Sequence, residues 1–280
     1  MLNDPHLKVE VFEQKSSDIF PGTDIKGGVA VVYWDSTTIS EPIGTFTPYS
    51  ELNSLVKKIK AKQEITLDTI ISGRGVYKLS NKALDEKPEI INLQSKGHKK
   101  DVGSGAFKVL SDVVFYKEKP NDATDFVQFL GLLHNKREYY WTRLDYQDPP
   151  ESFYNYKVFI PKANGSGAIG EVLSTPLVGA PLVGATESFL SIGSFRTSDE
   201  AENCMKYIKT KFARAALGVL KITQDNTRDK WKYVPMQDFT SNSDIDWTGS
   251  ISRIDHQLYK KYGLSPEEIE FIETHVKEME

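Results

Sequence analysis

The 280 residues carry 39% hydrophobic and 26% charged side chains, the proportions of an ordinary globular protein with enough chain for one large core or two modest ones. No apolar run approaches the roughly 20 residues that a membrane span needs, residues 1–6 have neither the basic nor the apolar region of a secretory signal, and a single cysteine, Cys204, excludes an internal disulfide and a thiolate zinc site. The net charge of −4 excludes a uniformly basic nucleic-acid domain, though a local basic face would be enough for binding.

The lone thiol fits a reducing, cytoplasmic setting. The five histidines are scattered without metal-ligand spacing, so no bound metal is expected. Acidic residues crowd the last forty positions, from Asp244 to Glu280, and leave the basic clusters to the middle of the chain.

Taken in chain order, residues 7–12 predict a strand. Pro21 and Gly22 punctuate the loop that follows. Residues 29–34, an apolar run of β-branched and aromatic side chains, suit a strand buried on both faces. Leu52, Leu55, Val56 and Ile59 make one stripe of a helix over 50–62, with lysines opposite. Between 65 and 185 the pattern is short strands, at 69–71, 113–116, 139–144 and 156–160, divided by proline and glycine. Residues 176–185 repeat Pro-Leu-Val-Gly-Ala twice, which is too few copies for a repeat fold and reads as an ordered loop.

The strongest helix signal runs from 197 to 220. Thr197 and Glu200 have capping-box spacing, and Cys204 falls on the apolar stripe as a core thiol. Two more helices follow: Ile251, Ile254 and Leu258 are helically spaced up to Gly263, and Ser265-Pro-Glu-Glu268 joins an N-cap, a first-turn proline and a capping box. Soft boundaries near 40 and 195 divide the chain into 1–40, 41–195 and 196–280. The expected fold class is α+β.

Catalytic motifs are scarce. The chain has no phosphate-cradling Gly-x-x-x-x-Gly-Lys, no Gly-x-Gly-x-x-Gly opening a helix and no nucleophile elbow. Asp4, Glu13 and Lys15 match a degenerate Asp…Glu-x-Lys pattern that binds a divalent ion and activates water in some nucleases; a metal-dependent DNA nuclease is the alternative reading, although in a chain so rich in acids and lysines chance is the simpler account of the pattern. The basic clusters carry more weight. Lys96, Lys99 and Lys100 form one, Lys136, Arg137 and Arg143 surround Tyr139, Tyr140 and Trp141, Arg228, Lys230 and Lys232 flank Trp231, and Arg74 projects between two glycines. Lysines neutralise phosphates and arginines pair bidentately with guanine. On that chemistry Lys96, Lys99, Lys100, Lys136 and Lys230 are candidates for phosphate contacts, and Arg74, Arg137 and Arg143 for base reading. Otherwise the clusters are a solvated surface on a protein-interaction module.

Three segments carry a resemblance. Residues 18–35, with Gly-Gly-Val-Ala-Val-Val-Tyr-Trp, residues 201–217, and residues 230–247, with Tyr-Val-Pro-Met-Gln-Asp-Phe, resemble the C-terminal part of adenine-specific DNA methyltransferases of restriction-modification systems. The resemblance implies late strands of a Rossmann-like catalytic sheet over 1–40, a β-rich target-recognition domain over 41–195 and helices over 196–280 that pack on it. Members of that family carry a cofactor-binding glycine motif and an Asn-Pro-Pro-Tyr motif upstream of the first matching segment, and neither occurs here. The resemblance therefore implies double-stranded DNA as partner, no catalytic residue in this chain, and S-adenosylmethionine bound by a catalytic domain or subunit outside this sequence.

Overall fold

The computed structural model describes residues 1–13, 15–23, 25, 28–165 and 167–279. They form a mixed α and β structure with small sheets, none of them closed. Two compact units divide after Ala61: Met1–Ala61 and Lys62–Glu280. Among the described residues no helix is long and apolar enough to cross a membrane.

In the first unit, β1 (Leu7–Glu13) and β2 (Val29–Trp34) pair antiparallel from Leu7↔Trp34 to Glu13↔Val29, with an irregularity between Val9 and Val11. Both strands lie where the apolar runs predict them. The expected burial of β2 on both faces does not hold: Val31, Val32, Tyr33 and Trp34 are exposed. A two-stranded sheet gives β2 one neighbour only, and continuous apolar character buries a strand only when further layers exist to cover it. Helix α1 (Ser50–Ala61) belongs to this unit and buries Leu52, Leu55, Val56 and Ile59, the four stripe positions.

The second unit begins with a departure from the sequence expectation. Residues 67–70 form a 3-10 turn, not a strand. Thr66 Oγ1 donates to Asp68 and Thr69 Oγ1 donates to the Thr66 carbonyl, local bonds that compete with a ladder. Strand β3 (Lys78–Leu79) and the short helices α2 (Asn81–Glu86), α3 (Ile90–Leu93) and α4 (Ala106–Val109) follow. The strand expected at 113–116 contributes only two isolated bridges, Ser111↔Phe115 and Tyr116↔Trp141.

The long hairpin of β4 (Phe126–Leu133) and β5 (Lys136–Arg143) pairs without irregularity from Phe126↔Arg143 to Leu133↔Lys136. β3 pairs with β6 (Gln147–Asp148). In a second three-stranded sheet β7 (Tyr156–Pro161) is central, between β8 (Leu177–Gly179) and β10 (Phe189–Phe195). Strand β9 (Val183–Ala185) joins the hairpin sheet, parallel to β4. The core between these elements is aromatic: Phe107, Phe115, Phe129, Phe153 and Phe159 are buried in one cluster, and the Phe107 and Tyr140 rings stack at 4.4 Å.

The tandem repeat is thus not a loop. Its first copy supplies β8 and its second β9, one strand to each sheet. The glycine of each copy lies beneath a phenylalanine ring: a Cβ on Gly179 would come within 2.4 Å of the Phe159 ring, and one on Gly184 within 2.4 Å of the Phe129 ring. The buried Lys157 ammonium ties the crossing down, donating to the carbonyls of Phe153, Asn155 and Ala180, and burial pushes its pKa down to about 7.

The helix expected over 197–220 is two helices, α5 (Ser198–Lys209) and α6 (Lys211–Gly218). Thr210 leaves helical geometry and its hydroxyl accepts from Ala213 N, capping α6. The Asp255 carboxylate accepts from the backbone N–H of Lys211 and of Phe212 and satisfies two more donors at that start. α5 lies against β7, β8 and β10, and Cys204 is fully buried with its thiol pKa pushed up by desolvation. Helices α7 (Ile251–Tyr262) and α8 (Pro266–His275) have the predicted ends: Gly263 is left-handed at φ 61°, and Ser265 and Glu268 complete a capping box.

Candidate nucleic-acid interface

Two neighbouring clefts in the second unit gather basic side chains from distant parts of the sequence. The first, of about 380 Å³, is lined by Ser72, Gly73, Arg74, Leu190, Arg228, Asp229 and Lys232, with Asp68 and Thr227. Its two walls are held by different means. The Arg74 loop is clamped to β10, where Ser72 N donates to the Ser191 carbonyl at 2.8 Å and Ser191 N to Ser72 Oγ at 2.9 Å. The opposite wall is a 3-10 turn, Arg228–Trp231, anchored by the fully buried Trp231. Arg228 Nε donates to the Asp68 carbonyl at 2.9 Å, which crosses the cleft and fixes its width.

The charges are partly offset. Arg74 lies 3.4 Å from Asp225 and Lys230 lies 3.3 Å from Asp229. The Thr227 hydroxyl, and after it Lys230, hold the Asp229 carboxyl below the usual range, so it is ionised at neutral pH. Arg228 and Lys232 remain exposed at the mouth.

The second cleft, also of about 380 Å³, lies at the foot of the β4–β5 turn and is lined by Ser104, His134, Asn135, Pro161, Lys162 and Ser188, among others. Lys162 Nζ donates to Ser104 Oγ at 2.8 Å. The clefts share a seam: Ala163 bridges Asp225, Asn226 N donates to the Lys162 carbonyl, and Asn164 N to the Gln224 carbonyl. They also meet at the start of β10, where Ser188, in the turn before the strand, borders the second and Leu190 the first.

Of the residues singled out in the sequence, Arg74, Lys136, Arg137 and Lys230 belong to this surface or border it. Lys136 is exposed at the start of β5, beside the turn, and the Arg137 guanidinium lies 5.7 Å from the ring of Phe189, the β10 residue between Ser188 and Leu190. The other four are elsewhere. Arg143 is at the far end of β5, roughly 23 Å along the strand from Lys136. Its guanidinium donates to both carboxylate oxygens of Asp145 and to Glu86, lies 4.3 Å from the Tyr146 ring, and its side chain is 20% exposed, so its donors are committed within the chain. Lys99 donates to the carbonyls of Ile91 and Gln94 and closes the end of α3. Lys96 is exposed and Lys100 half-buried on the same loop. Sequence reasoning missed Lys162, and it grouped Arg228 and Lys232 with Lys230 without assigning either a contact. Arg228 and Lys232 flank Trp231, a signal that was visible, but the seam that brings them to Arg74 was not.

Asp4, Glu13 and Lys15 do not converge. Asp4 accepts from Trp34 Nε1 at one end of the β1–β2 hairpin, while Glu13 pairs with Val29 at the other, roughly 20 Å away along a strand of this length. Among the described residues no group of three or more His, Cys, Asp or Glu side chains could hold a metal ion. No protein-family model and no curated protein matches this chain.

Proposed function

We propose that this chain recognises double-stranded DNA as the specificity part of an adenine-specific DNA methyltransferase in a restriction-modification system. One observation carries the reading: in a chain of net charge −4, Arg74, Arg228 and Lys232 meet on a cleft that adjoins the Lys136, Arg137 and Lys162 surface. A local concentration of cations on an acidic protein is the footprint of a polyanionic partner. On this reading the β-rich part of the second unit is the target-recognition domain, with α5 to α8 as the helices packed against it.

The same reading assigns β1 and β2 to the edge of a Rossmann-like sheet whose other strands, S-adenosylmethionine site and catalytic residues belong to a domain or subunit outside this sequence. The exposed apolar side chains of β2 support a protein neighbour there, because an uncovered strand of that composition is an aggregation hazard. The division of labour is physical. A methyltransferase must take its target base out of the stack, and a separate domain that grips the duplex fixes the register in which that happens.

The test is a selection from randomised duplex DNA at low and moderate salt, with sequencing of what is retained. An enriched motif containing adenine is the expected result. Absence of retention even at low salt overturns the reading.

A further inference from the structure

The β4–β5 hairpin ends in a two-residue turn, His134-Asn135, with both residues left-handed at φ 51° and 62° between the paired Leu133 and Lys136. Consecutive positive φ values are the geometry that matches the twist of the flanking strands. Both side chains are exposed, and among the described residues neither makes a hydrogen bond within the chain.

The hairpin beneath them is stiff. Its eight register pairs run without a bulge, Val127, Phe129 and Leu130 are buried at its foot, and Phe107 stacks on Tyr140. A two-stranded ribbon is one of the two elements that the major groove, about 12 Å wide, admits. Cations stand beside the tip to take the phosphates: Lys136 on the ribbon itself and Lys162 in the cleft at its foot.

From this geometry we infer that the β4–β5 tip enters the major groove and that the Asn135 side-chain amide reads an adenine there. The inference rests on the duplex-DNA reading above. An Asn amide presents a donor and an acceptor that match adenine N7 and N6, and lysines at the ribbon's flank would position it without carrying sequence information. Among the described residues no other exposed amide of this surface sits at the end of a supported ribbon.

The experiment is the selection from randomised duplexes, run with the full chain and with N135G and N135D. Glycine and aspartate both tolerate positive φ, so the turn is kept. In the wild-type motif one column carries adenine. N135G reduces the preference in that column by roughly ten-fold or more, while the remaining columns and the salt slope stay, since no cation is removed. N135D moves the preference in the same column toward cytosine, whose N4 amine donates to a carboxylate. If both variants enrich the wild-type motif in every column, the tip does not read bases and the inference fails while DNA recognition stands. If the wild type retains DNA without any motif, the inference fails and a phosphate grip remains. If the wild type retains no DNA, both readings fall together.

Discussion

Arg74 Nη2 lies 3.4 Å from Asp225 Oδ1, across 151 residues of sequence, and both side chains are half exposed. Such a pair contributes at most about 1 kcal/mol to stability; on the proposed function the carboxylate occupies an arginine that a duplex would use. Asp225→Ala should leave the unfolding midpoint nearly unchanged and increase DNA retention at moderate salt. Arg74→Ala should weaken retention and flatten its dependence on salt by about 0.9 in log–log slope if the guanidinium neutralises one phosphate. Filter binding over a salt series reads both.

Arg143 should behave in the opposite way. Its partners Glu86, Asp145 and Tyr146 belong to the chain itself, so Arg143→Ala should lower stability by about 1 kcal/mol with no change in salt slope. Urea unfolding and the same binding series, measured on one preparation, separate the two effects. A flattened slope would return Arg143 to the DNA surface.

Asp255 gives the fold a pH dependence. Burial raises its carboxyl to about 6, against the bonds from Phe212 and Lys211 that favour the charged form. The folded state therefore binds a proton that the unfolded chain, with an ordinary value near 3.8, has already released. Stability from this group is fully present below about pH 4 and is lost as pH rises through 6. Asp255→Asn, which removes the titrating group and keeps one of its two acceptor oxygens, should lower stability overall and flatten that part of its pH profile. Thermal unfolding of the two proteins between pH 4 and 7 is the measurement.

The paired glycines of the tandem repeat should be intolerant of even one methyl group. Gly179→Ala and Gly184→Ala each force a Cβ against a buried phenylalanine ring, an overpacking that costs roughly 1–3 kcal/mol. Chemical denaturation reads the loss. A neutral result at Gly184 would mean that the Phe129 ring has room to turn.

How much of this was legible in the sequence depended on whether the signal was local. The α1 stripe and the Ser265 capping box are periodic or short-range, and the structure has them where the residues say. The break at Thr210 was hidden because its cause, Asp255, lies 45 positions downstream; the apolar stripe itself continues through Phe212. Burial of β2 was misjudged because apolar composition reports what a strand can bury and not what exists to cover it. The repeat was misread as a loop because two strands of three residues each are too short to have a period. At the candidate surface, composition found Arg74, Lys136, Arg137 and the cluster of Arg228, Lys230 and Lys232, while the Arg228–Asp68 bond and the Ala163–Asp225 bridge, invisible in the sequence, bring Arg228 and Lys232 to Arg74.

The crossing from β8 to β9 takes three residues, 180–182, and is fastened to Phe153 by Leu182 N as well as by Lys157. The two three-stranded sheets therefore share one short, bolted piece of chain and one pair of ring-capped glycines. A transplant meant to carry the proposed DNA preference from one protein to another cannot cut between them: a graft of residues 126–143 alone leaves β4 without its parallel neighbour, and one ending before 177 leaves β7 with an open edge. If the chain reads DNA as proposed, the exchangeable modules are of two sizes, the whole span from β4 to β10 or the two residues at the hairpin tip, and a lineage that changed its target in small steps would do so at the tip.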